Sequence, residues 1–178
     1  MGTQSLAVAV LTVITAVQML LVTVDNVIDY DTNYAFVQHV LAMDTTFRSP
    51  HLMWRAMVTP GFATTAYVAV IIWEVLTSVV LLTASVAWIL RRPLAPKLSA
   101  AGWLLELALF AGGFLAVGGE WFQMWQSSKW NGLESATRYL LVTAVGLILV
   151  HRLPGSTPAT DSLDRSGGHR EAVVDDKL

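Results

Sequence analysis

Residues Phe62–Leu90 read FATTAYVAVIIWEVLTSVVLLTASVAWIL, an apolar run broken by a single charge, Glu74. A helix rises about 1.5 Å per residue and a bilayer's hydrocarbon core is about 30 Å thick, so this run is long enough to cross a membrane. A helix of a soluble domain would carry a charged face along its length, and this one does not. Thr59 ahead of Pro60 predicts an N-cap followed by a first-turn proline, which sets the start of the helix. Three further runs of the same kind lie around it. Leu6–Val24 is polar only at three Thr and Gln18, Leu98–Gly118 is interrupted by Glu106, and Leu133–Val150 carries Glu134 and Arg138 near its start. Asn131 is placed to cap the last run, with Glu134 reaching back as in a capping box.

Composition agrees with four spans. Of 178 residues, 54% are hydrophobic and 13% charged, about half the charged share of a soluble domain. That leaves too little polar side chain to coat a water-facing globule. The chain has no cysteine, which removes disulfides, thiolate metal sites and cysteine nucleophiles. Its net charge of −2, with no basic patch interleaved with aromatics, points away from nucleic acid. The N-terminus has no Lys or Arg ahead of Leu6, so the first run reads as a retained helix and not as a signal peptide. The fold class expected is all-α: a four-transmembrane-helix bundle over residues 1–152, with spans at about 6–24, 62–90, 98–118 and 133–150. Residues 153–178, rich in Ser, Gly, Pro and mixed charge, are expected to form a disordered tail.

Charge near the span ends sets an expected direction. Arg91, Arg92 and Lys97 lie between spans two and three, and His151 and Arg152 follow span four. These ends belong in the cytoplasm, giving a multi-pass protein with both termini inside. Trp54, Trp121, Trp125 and Trp130 then fall at the outer boundary and Trp88 and Trp103 towards the inner one, as an aromatic belt requires.

The outer segments are patterned. Tyr34–Met43 places Phe36, Val37, Val40, Leu41 and Met43 on one helical face, a short amphipathic helix on the outer leaflet or over the bundle. Ser49 before Pro50 predicts a second short helix, Pro50–Met57. The other outer segment packs Trp121, Trp125, Trp130, a Phe and a Met among Glu120, two Gln and Asn131, suiting either membrane anchoring or a partner-facing surface. Three blocks, NYAFVQHVLAMDTTF (Asn33–Phe47), MWRA (Met53–Ala56) and GGEWFQMWQSSKWNG (Gly118–Gly132), resemble the bacterial predicted small integral membrane proteins, domain of unknown function 2165, over about residues 5–152. The resemblance implies location in the cytoplasmic (inner) membrane and topology, and no activity, cofactor or catalytic residue.

Charges inside the spans each need a reason, since an ionisable group in hydrocarbon costs at least about 2.5–3.5 kcal/mol on insertion scales. Glu74 is expected near mid-membrane on a stripe with Tyr67, Thr77, Ser78 and Ser85 that points into the bundle. It is either a neutral carboxyl satisfied by those hydroxyls or part of a proton or cation path. Glu106 shares a face with Ser99, Gly102 and Gly113, and its structural reading is favoured. Ala108, Gly112 and Ala116 form a second small-residue row on the same span, where another helix could approach closely. Arg138 pairs either with Glu74 across the bundle or, the favoured reading, with Glu134 one turn earlier. His39, His51, Asp44 and Glu120 could meet outside, but no ligand spacing links them, so no metal is assigned. No His lies within a span, which argues against haem, and no cofactor is assigned.

Three functions compete. The first is a non-enzymatic accessory or interaction subunit, with the bilayer and a larger membrane complex or further copies of itself as partners. The second is a small oligomeric transporter or proton-coupled permeation unit using Glu74. The third, an enzyme with an outward site around His39, Asp44 and Glu120, ranks last because no nucleophile–base constellation can be named.

Overall fold

The computed structural model describes residues 2–153; Leu153, expected to begin the tail, is buried in the core of the bundle, and the rest of the expected tail lies outside the described residues. Among the described residues, four helices are long and apolar enough to cross a membrane: α1 (Thr3–Ile28), α3 (Phe62–Ile89), the continuous helix Ala95–Trp121, and α5 (Leu133–His151). The third is α-helical as α4 (Ala95–Leu107) and becomes a π-helix over Ala108–Trp121. A shorter helix, α2 (Tyr30–Ala42), follows α1 directly, and there is no strand among the described residues.

The four long helices alternate in direction and pack in the cyclic order α1, α3, α4 with its π extension, α5, with α5 closing on α1. Hydroxyls and small residues set this packing, because apolar burial drives little helix association in lipid and close approach and interhelical hydrogen bonds take over. Thr12 bonds Ser99 at 2.9 Å, and Trp88 donates its indole N–H to the same Ser99 at 2.9 Å. Trp103 donates to Thr15 at 3.0 Å, and Thr23 bonds Ser78 at 3.1 Å. Gly146 lets the Trp103 ring lie against α5: a Cβ there would sit 2.7 Å from ring carbon Cε2. Trp88 and Trp103 are therefore core residues, 8% and 0% exposed, and not the inner aromatic belt expected from their position. Leu6, Val10, Ile14, Ile72, Val79, Leu141 and Ile148 cover the outside of the bundle, a surface suited to lipid.

One end of the bundle is capped. Tyr30 and Tyr34 of α2 meet Tyr67 of α3, with ring centroids 4.9 and 6.3 Å away, and Phe36 meets Phe114 of the π segment at 6.5 Å. A small second core of Leu41, Met43 and Phe122 joins α2 to the segment before α3 and to the end of the π segment. Two hydrogen bonds tie the loops together: Thr45 to Ser127 at 2.9 Å and the Phe47 amide to Gln126 at 2.8 Å.

Local expectations shift in three places. The Pro50–Met57 helix is a turn followed by a 3₁₀ turn, Met53–Arg55. Ala56 is extended and the Met57 amide is taken by the Leu41 carbonyl at 2.8 Å, which prevents the helix from propagating. The cap of α3 is Gly61, at φ +84°, and not Thr59, whose carbonyl instead closes a turn onto the Phe62 amide. The cap of α5 is Gly132; Asn131 Oδ1 accepts from the Leu133 amide at 3.1 Å, and Glu134 turns to Arg138 in place of a capping box.

Candidate functional site

Beneath the cap the helices leave a cavity of about 250 Å³, lined from α1, α2, α3, α5 and the π segment. Glu74, 2% exposed, lies on its wall. Its carboxyl is not held by Thr77 or Ser78. Thr77 bonds back to the Trp73 carbonyl at 2.8 Å and Ser78 bonds Thr23. The partner is Asn26, whose side-chain amide nitrogen donates to both carboxyl oxygens, at 2.9 and 2.8 Å. Tyr67 donates its hydroxyl to the Asn26 carbonyl at 2.8 Å, fixing the base of that side chain. A buried polar network of this kind is stable only when its members are satisfied, and here a neutral amide satisfies a carboxyl.

Asn26 stands in the last turn of α1, so Glu74, midway along α3, sits level with that end of α1. The first turns of α3 run beyond α1 beside α2, which accounts for the difference. The sequence reading ended span one at Val24 and so missed Asn26. A signal was present: Thr12, Thr15, Met19 and Thr23 are buried on one face of α1, and one more step of that stripe reaches position 26.

Glu106 is fully buried on α4, and its carboxyl faces the Thr143 hydroxyl of the adjacent α5, also fully buried, at more than the length of a well-formed hydrogen bond. Arg138 pairs with Glu134 one turn earlier and both are exposed, so Arg138 and Glu74 are not brought together.

The outer-face candidates fall into separate clusters. His39 bonds Asp44 at 2.7 Å and stacks on Trp130 at 4.6 Å. Trp121 meets Trp54 edge to face at 5.6 Å, with the Arg55 guanidinium 4.6 Å above the Trp121 ring. Arg55 carried no role in the sequence reading; its adjacency to Trp54 was the available hint. Trp125 meets Phe47 at 5.8 Å. Glu120 is exposed, as is Asn131, whose side chain supports the start of α5. His51 is exposed as well, and no three His, Asp or Glu side chains come together as a metal-holding group among the described residues.

The family model for predicted small integral membrane proteins, domain of unknown function 2165, matches residues 4–152. The chain belongs to this family. The match spans α1 to α5 and includes Asn26, Glu74, Glu106 and the aromatic clusters of the cap. No curated protein and no solved structure matches the chain. The family description and the four apolar helices together make the chain an integral membrane protein.

Proposed function

We propose that this integral membrane protein is a non-enzymatic accessory subunit that packs beside a larger protein of the bacterial cytoplasmic membrane. In this reading it crosses the membrane four times with both termini in the cytoplasm and the aromatic cap outside, following the Arg91, Arg92, Lys97 and Arg152 bias. One observation carries the proposal: Ala108, Gly112 and Ala116 are all exposed on the π segment, and nothing lies within 4 Å of a Cβ built on Gly112. An open row of small residues on an apolar helix lets a second helix backbone approach closely, which is the main source of helix association in lipid. The occupant is a membrane-spanning helix of the larger protein. Trp121, the last residue of the same helix, and Trp125, in the 3₁₀ turn Met124–Gln126 that follows, are both exposed and suit a polar boundary.

The test is purification of the tagged chain, expressed at native level, in mild detergent, beside its Gly112→Leu variant. A stoichiometric larger membrane protein, present with the parent chain and absent with the variant, supports the proposal. A homo-oligomer alone contradicts it. That result would favour the second reading, a small oligomeric transporter or proton-coupled permeation unit, which draws its support from the placement of Glu74 on a cavity wall.

A further inference from the structure

The cavity beneath the cap has a chemistry that the accessory role does not use. It shares the walls Phe36, Val37, Val70 and Phe114 with a second cavity of about 200 Å³, whose lining contains no charged residue. The cavity beneath the cap itself sets one carboxyl among apolar side chains, Val22, Phe36, Val70 and Phe110 included, the make-up of a small-molecule site. The polar end holds one carboxyl, Glu74, and its lining includes no Lys, Arg or His. The rings of Tyr67, Phe110, Phe114 and Tyr139 line the same cavity. Aromatic faces beside a carboxyl recognise an ammonium group, because the ring quadrupoles and the carboxylate attract the same charge.

Asn26 marks where that group would sit. Its amide nitrogen already donates to both oxygens of Glu74. An ammonium donor would make the same two contacts and add the positive charge that a neutral amide lacks. We infer that the cavity beneath the cap is a binding site for a lipophilic organic cation, its ammonium group replacing the Asn26 amide at Glu74 and its apolar body lying against Phe36, Val70 and Phe114. The site stands on the cavity and its carboxyl, independently of docking at Gly112, and requires no transport.

The test uses the purified full chain in mild detergent and three probes with one alkyl chain: octylammonium, octanol and octanoate. Binding is read as thermal stabilisation across a concentration series. Octylammonium is expected to bind about ten-fold tighter than octanol, with octanoate weakest, an advantage equal to about 1.4 kcal/mol. Glu74→Gln should erase the preference for the cation. Val37→Trp, which fills space in the cavity from its α2 wall, should weaken all three probes. Asn26→Ala removes the competing donor and should tighten octylammonium binding, a gain that a merely structural pair would not give. Equal binding of octylammonium and octanol overturns the inference, as does weaker octylammonium binding in Asn26→Ala or unchanged binding in Val37→Trp.

Discussion

Gly146→Ala probes the bundle where α5 packs closely against α4. The added Cβ would lie 2.7–2.8 Å from three carbons of the Trp103 ring, whereas carbon atoms rest comfortably about 3.5–4.0 Å apart. The ring or α5 must therefore retreat by roughly 0.7 Å or more. Trp103 has little freedom to do so: it is fully buried and its indole N–H is bonded to Thr15 at 3.0 Å. Overpacking of this kind costs about 1–3 kcal/mol, and losing the indole bond adds about 0.6–1.7 kcal/mol in a membrane bundle. The helix propensity gained on replacing Gly returns about 0.5–1 kcal/mol. The net expectation is a loss of about 1–4 kcal/mol. The assay is equilibrium unfolding in mixed micelles followed by far-ultraviolet circular dichroism. Gly112→Ala, which meets nothing within 4 Å, is the matched control and should be neutral or slightly stabilising. Adding Trp103→Phe to Gly146→Ala should recover part of the loss, because the smaller ring relieves the contact. Stability of Gly146→Ala equal to the parent would refute this account of the α4–α5 interface.

Other outcomes follow from the same packing. Glu106→Leu strands the fully buried Thr143 hydroxyl that faces its carboxyl and should lower stability by about 1–3 kcal/mol in the same assay, a rise being the contrary result. Glu74→Leu strands the Asn26 amide and should lower stability by about 1–3 kcal/mol. Glu74→Gln should lose less, because the Gln carbonyl can still accept from Asn26 while its amide cannot. Equal losses in the two variants would show that the Asn26 bonds contribute little. Single cysteines at Thr46 and Ser128 should label with a membrane-impermeant thiol reagent in intact cells, and one at Ser156 only after the membrane is opened. Labelling at Ser156 from outside would reverse the proposed orientation.

The spans were legible because hydropathy and length need no tertiary information. Phe62–Leu90 and Leu133–Val150 match α3 and α5 to within one residue at each end. Span one was read short because Asp25 and Asn26 look like the start of a loop, yet α1 continues to Ile28 with Asn26 turned towards Glu74. The π segment escaped notice, although its pattern is visible afterwards. Leu109 and Phe110, then Phe114 and Leu115, then Gly118 and Gly119 turn inward at intervals of four to five residues, the wider repeat of an i→i+5 helix. Trp88 and Trp103 were misplaced because a Trp near a span end looks the same whether it faces lipid or core. Ser99, Thr15 and Gly146 decide the matter, and all three lie in other turns or other helices. The Glu74 stripe was correctly pointed inward, but hydroxyls in helices bond their own backbone readily. That left the carboxyl to a residue on another helix, which one-dimensional spacing does not reveal.

The central claim is that the open face of the π segment is covered by a helix of a larger membrane protein. A photo-crosslinking amino acid placed at Gly112, in native membranes and at native expression, tests it most directly, with Leu141 on the exposed side of α5 as the control position. The account predicts one dominant adduct at Gly112 to a larger membrane protein and none of that mass from Leu141. Adducts at Gly112 only to lipid or to a second copy of this chain would contradict it.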